Sequence, residues 1–236
     1  MEKIDQLFAK LDKWRNLPTY QLERRADIFF SLYLREVLEV RTGLNIHETL
    51  IPEFPLHKKT LDSEKGNNQS FRADYLAFSS DLNKVWLVEL KTDGGSTRLS
   101  QNDYLKQAKN AGFNALLKGL IRVISASSSK RKYLHLLKDL ERVGVIANVE
   151  GLDVYARQSN LRGFTNELRQ VNILPADPVI NLVCIHPLEK ENDDFDEWIS
   201  FQQFRQTVKR YGDHVSVRFC ESLQRWETKA GLVAPE

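Results

Sequence analysis

Read from the N-terminus, the apolar side chains first recur with a helical period. In "YQLERRADIFFSLYLREVLEVRTG", Tyr20 to Gly43, the residues Leu22, Ala26, Phe29, Phe30, Tyr33 and Val37 fall three and four apart. That spacing lines one side of a helix with apolar groups. Pro18 ahead of it and Gly43 behind it mark its limits. The period then shortens. "HETLIPEFPLHK", His47 to Lys58, carries Pro52 and Pro55, which exclude a helix and suit an edge strand. After a polar loop come two apolar runs, Phe71 to Phe78 and Lys84 to Lys91, joined by the turn-rich "SSDLN". They predict a hairpin.

"DGGSTR" breaks the chain, and a helix is expected from about Thr97 to Leu120, with Leu105, Ala108, Ala115 and Leu116 on its inner side. A second helix is expected from Tyr133 to Val143 and a short one near Leu161 to Gln170. "PVINLVCIHP" reads as a buried strand between Pro178 and Pro187. An acidic linker from Glu189 to Glu197 leads into the helix-like "WISFQQFRQTVKRYG", and "HVSVRFCESL" reads as a last strand. The order predicts an α/β fold, a central mixed sheet flanked by helices. No convincing linker interrupts it, so one domain over residues 1–236 is expected, with core motifs in 20–120 and the sheet completed in 178–223.

Composition narrows the picture only a little. The 236 residues are 42% hydrophobic and 28% charged, as in a soluble globular protein. A formal net charge of +2 excludes a global polycation, so any nucleic-acid contact must come from local clusters. Cys184 and Cys220 sit in apolar runs with no metal-thiolate spacing, and read as buried reduced thiols of a reducing compartment. "MEKIDQLFAKLDKWRN" lacks the apolar core of a signal peptide, and no run approaches a membrane span. A cytoplasmic protein without a membrane partner is expected.

The chemistry lies in the hairpin. Glu89 and Lys91 are two apart and so share a face of their strand, while Trp86, Val88 and Leu90 occupy the other. A strand apolar on both faces is buried, so the charges are expected to emerge where it reaches the end of the sheet. Hairpin pairing would set Asp74 of the preceding strand beside Glu89. Two carboxylates so placed repel and raise one pKa, and a divalent cation removes that penalty. Hard oxygen ligands suit Mg2+, with Mn2+ as a substitute. Lys91 could then orient a hydrolytic water and offset developing negative charge.

"RADYLAF" followed by "VWLVELKTD" resembles the PD-(D/E)XK nuclease superfamily: an acid on one strand, then Glu-x-Lys on the next. Asp74 matches the first acid, and Glu89, Leu90 and Lys91 match the Glu-x-Lys, fifteen residues after Asp74. The resemblance implies a restriction-endonuclease-like three-layer fold with catalysis at the sheet end. It implies metal ligation by Asp74, Glu89 and the main-chain carbonyl of Leu90. It also implies a glutamate on the helix before the strands, for which Glu23 is the choice and Asp27 the competitor. In "SQNDYLKQA", Gln101 and Tyr104 look like accessory residues of the following helix. The chain departs from the pattern at Ala73, where the superfamily has its proline, and in the Gln-x-x-Tyr spacing, which is one residue short.

Candidate phosphate contacts are Arg24, Arg25, Lys58, Lys59, Arg98, Lys130, Arg131, Lys132, Lys209 and Arg210. Arg98 has the best case, at the start of a helix just after the Lys91 strand end. His135 and His186 are expected to be structural, and Trp14, Trp198 and Trp226 to pack in the core. No helix-turn-helix or zinc-finger pattern is present. The sequence therefore predicts a Mg2+-dependent nuclease acting on DNA. Its partner is nucleic acid, and a homodimer would suit cleavage of both strands. The alternative is a catalytically inactive nucleic-acid-binding or interaction protein on the same scaffold.

Overall fold

The computed structural model of the chain describes residues 2–61, 70–93, 99–157, 161–189 and 193–230, leaving out the side chains of 99–101, 156–157, 161 and 228–230. Helices α1 (Lys3–Trp14), α2 (Glu23–Ser31) and α3 (Leu34–Thr42) precede strand β1 (Ile51–His57) and the single turn α4 (Lys58–Leu61). Strands β2 (Ser70–Phe78) and β3 (Lys84–Leu90) lead to α5 (Leu99–Ala111), α6 (Phe113–Ala126), a 3-10 turn at Lys130–Tyr133 and α7 (Leu134–Val143). Then come β4 (Ile146–Ala147), α8 (Leu152–Arg157), α9 (Leu161–Leu168) and β5 (Asn172–Ile173). The chain continues with β6 (Val179–His186), β7 (Glu197–Ser200), α10 (Phe201–Val208) and α11 (His214–Ala230).

Five strands form one mixed sheet in the order β1-β2-β3-β6-β7, and β4 pairs with β5 alone. β1 runs antiparallel to β2, whereas β6 and β7 are parallel. The prolines of β1 thus lie on an edge strand, where a missing N–H costs no ladder bond. No described helix is long and apolar enough to cross a membrane. Both cysteines are buried free thiols.

Four expectations about elements need correction. The helix over 20–43 is two helices, broken at Leu32 and Tyr33, where the Ser31 hydroxyl donates back to the Ile28 carbonyl at 2.7 Å. The helix over 97–120 is likewise two, parted by Gly112 at φ 82, a conformation glycine adopts without a Cβ penalty. "WISFQQ" begins as strand β7 and turns helical at Ser200, whose hydroxyl accepts from the Gln203 N–H in a capping box. Finally, "HVSVRFCESL" is the first part of helix α11, not a strand. The carboxylate of Asp213 accepts from the N–H groups of Val215 and Ser216 and caps its start. Buried Ser216, Phe219, Cys220, Leu223 and Trp226 then follow at helical spacing.

The contacts divide the chain into two compact units. The first comprises Met1–Ile46, Val88–Asn102 and Leu182–Glu236. Its core is aromatic: Phe219 lies within 6.3 Å, ring to ring, of Phe8, Phe29, Phe30, Tyr33, Phe204 and Trp226. Trp226 is fully buried, but Trp14 is 41% exposed, contrary to the expectation that it packs in the core. The expected acidic linker is partly structural, since the Asp196 carboxylate accepts from the Leu182 N–H at 2.7 Å.

In the same unit His214 joins α11 to α1, its two ring nitrogens 2.8 Å from Glu2 and 2.9 Å from Asp5. Only the imidazolium donates from both nitrogens. The hydrogen bond to Asp5 and then that to Glu2 raise the His214 pKa above its ordinary value. Its stabilisation is therefore complete below about pH 6.5 and is lost as pH rises through the higher folded value. The gap in Tm between wild type and His214→Gln should be widest near pH 6 and vanish near pH 9 in a thermal series.

The second unit comprises His47–Leu87 and Asp103–Asn181. Here α6 packs on β1 through Gly119. A Cβ built there would meet Thr60 Oγ1 at 2.8 Å and His57 Cβ at 3.1 Å. The Thr60 hydroxyl is held by His57 Nδ1 at 2.9 Å, so it gives way only by losing that bond. Gly119→Ala should therefore destabilise the protein by about 1–3 kcal/mol of overpacking despite alanine's better helix propensity, seen as a lower melting temperature.

Candidate functional site

β3 is sealed on both faces, with Val85 to Leu90 no more than 2% exposed. The strand continues one residue past its last β position, because the Lys91 N–H donates to the Ile185 carbonyl of β6 at 2.8 Å. Glu89 and Lys91 project to the same side, as their spacing requires. Lys91 Nζ lies 2.5 Å from Glu89 Oε1. Both are buried, at 0% and 4% exposure, so the expectation that they emerge at the sheet end is corrected. Two charges leave water here because each neutralises the other, through a charge-assisted bond.

Lys91 also lines a cleft of the first unit with a volume of about 610 Å3. The other charged residues lining it are Arg15, Glu23, Arg24 and Asp93, with Tyr20 and Thr92 among the rest. Glu23 opens α2, where an acid complements the positive helix end. Asp27 is not among the lining residues; its carboxylate accepts from the adjacent Ile28 N–H at 2.7 Å. Of the two candidate helix acids, Glu23 is thus the one that shares a cleft with Lys91.

Arg15 was not singled out from the sequence, and no signal marked it. A basic residue just past a helix end is ordinary, and here Arg15 is the C-cap of α1. Its Nη2 donates to the Thr92 carbonyl at 3.3 Å, beside Lys91, and its guanidinium lies 5.8 Å from the Trp226 ring. Burial pulls its pKa below the usual value, and Asp93 and Asp12 oppose that shift.

The remaining predicted residues are not among those that line this cleft, or they fall outside the described residues. Asp74 belongs to the second unit, half-buried on β2 between buried Ala73 and Tyr75. β2 neighbours β3 in the sheet. The opposing edge strand is distorted at this level: Pro52 pairs with Tyr75 and Phe54 with Ala73, while Glu53 between them takes φ 53. Tyr104 stacks on Phe71 with centroids 3.3 Å apart, and Lys58 Nζ lies 4.4 Å from the Phe71 ring. Lys130 donates to the carbonyls of Ser125 and Ser127 at 2.5 and 2.7 Å, so its ammonium closes the end of α6. Arg131 and Lys132 are exposed on the 3-10 turn. Arg98 and the side chain of Gln101 fall outside the described residues. His186 is structural: its ring packs on Trp198, and its Nδ1 accepts from the Leu188 N–H at 3.0 Å.

Among the described residues, no group of three or more His, Cys, Asp or Glu is placed to hold a metal ion. No family model, curated protein or solved structure matches the chain.

Proposed function

We propose that the chain is a magnesium-dependent nuclease of the PD-(D/E)XK type, hydrolysing phosphodiester bonds of DNA on a restriction-endonuclease-like scaffold. One observation carries this reading: a sealed central strand ends in a buried Glu89–Lys91 pair, and Lys91 lines a polar cleft together with Glu23. Elsewhere a strand so apolar has little use for an ion pair, because packed hydrophobic residues of similar volume are often as stable or more so.

Asp74, Glu89 and the Leu90 carbonyl would hold the magnesium ion. They fit in kind, being hard oxygen donors that include no more than the one or two carboxylates this ion takes from protein. When bound, the ion stabilises charge on a phosphoryl oxygen and acidifies a coordinated water. The chain supplies the rest. The Glu89 carboxylate fixes the Lys91 ammonium, so that a positive charge stands ready where negative charge develops. Glu23, in the same cleft, can accept a hydrogen bond from the attacking water and orient it.

The test is a cleavage assay on labelled single-stranded and duplex DNA with Mg2+ or Mn2+, run beside an EDTA control. Cutting with either metal and none with EDTA is the expected result. If the wild type binds DNA but leaves both substrates intact with both metals, the non-catalytic nucleic-acid-binding reading replaces this one.

A further inference from the structure

The cleft beside Lys91 contains a donor that the proposed chemistry does not use. Arg15 Nη1 is buried and has no hydrogen-bond partner among the described residues. Two of the groups around it are already engaged, while Asp93 lines the same cleft and acts on the guanidinium through its charge. Nη2 reaches the Thr92 carbonyl. The Asp12 carboxylate is taken by the Trp226 indole N–H at 2.8 Å and by Arg225 at 2.5 Å. The Trp226 ring, fully buried, restrains the guanidinium plane from one side. A guanidinium donor that is out of water and without an acceptor is costly, and a fixed fork of donors matches the oxygens of a phosphate.

Resting on the nuclease reading, we infer that Arg15 binds a phosphate of the substrate strand in this cleft, next to the phosphate attacked beside Lys91. Arg24, exposed on the same lining, adds a second cation on the solvent side. The volume of about 610 Å3 lies within the range of roughly 300–1,000 Å3 typical of small-ligand pockets. A cleft of that size admits a nucleotide-sized group. Arg15 is a binding residue in this scheme, and it takes no part in proton transfer.

The experiment measures binding of a fluorescein-labelled single-stranded oligonucleotide in EDTA, by anisotropy, across a series of salt concentrations. Because no cutting occurs in EDTA, the result is independent of the nuclease reading. Arg15→Gln should weaken binding and flatten the plot of log affinity against log salt by about one phosphate contact, ~0.7 in slope for a single strand. A merely structural Arg15 would lower Tm and leave that slope unchanged. Arg15→Lys should keep the slope while losing affinity, and it decides the matter if Arg15→Gln melts below the assay temperature. An unchanged slope in folded Arg15→Gln, full affinity in Arg15→Lys, or no binding by the wild type each overturns the inference. An Arg15-dependent slope in a protein that never cuts would keep the subsite and remove the nuclease reading.

Discussion

Lys91→Ala is expected to abolish metal-dependent cleavage and, at the same time, to lower the melting temperature. The activity loss follows from the proposed role: a preorganised charge placed where negative charge develops is worth about 10^2–10^3 in rate. The stability loss follows from burial. Lys91 is 4% exposed and 2.5 Å from a carboxylate that is itself sealed from solvent. Breaking such a pair from one side costs about 3–5 kcal/mol, because the surviving buried charge loses this bond. The two effects separate if rates are measured well below each variant's Tm and the folded fraction is read by circular dichroism. Glu89→Gln combined with Lys91→Met should be more stable than Lys91→Ala alone, since it removes both charges of the pair and keeps more of their volume, yet be equally inactive. Full activity in folded Lys91→Ala would remove Lys91 from the chemistry. A wild-type Tm in that variant would show that the pair contributes nothing to stability.

Phe219→Ala should produce the largest loss of stability without touching the cleft. Phe219 is fully buried and meets six other aromatic rings of the first unit. Removing a buried phenylalanine costs about 3–5 kcal/mol, since the surrounding rings cannot close on the cavity. In a chain of this size that corresponds to about 6–20 °C in Tm. A drop in near-ultraviolet circular dichroism should accompany it, because the rings lose their fixed neighbours. Val217→Ala, two residues earlier at a site 46% exposed, should be nearly silent. If Val217→Ala proved as damaging as Phe219→Ala, the segment would not be helical.

That contrast shows where the sequence was readable. In a ten-residue window, Val215, Val217 and Phe219 alternate with polar residues and suggest a strand, so the window stopped short of Leu223 and Trp226. The helical period needs those two, and the Asp213 cap ahead of it is a local signal that the alternation masked. The hairpin was legible for the opposite reason. Its two runs are strongly apolar, with Phe71, Tyr75 and Phe78 in the first and Val85, Trp86 and Val88 in the second, and the Ser79-to-Lys84 turn closes with a 2.9 Å backbone bond. The spacing of Glu89 and Lys91 placed them on one side. Their depth was not readable, because it depends on what covers the strand end. Arg15 was invisible for a related reason: it became notable only once the fold brought Thr92 and Trp226 to it from remote parts of the chain.

The exposed indole of Trp14 gives the protein an optical handle. Trp86 and Trp226 are sealed and should emit in the blue, Trp198 is half-buried, and Trp14, the most exposed of the four, should emit furthest to the red and be quenched most strongly by iodide or acrylamide. Its ring makes an edge contact with Tyr20, 6.1 Å between centroids, and Tyr20 lines the Lys91 cleft. Occupancy of the cleft can thus be followed through intrinsic fluorescence, with no label attached and no substrate consumed.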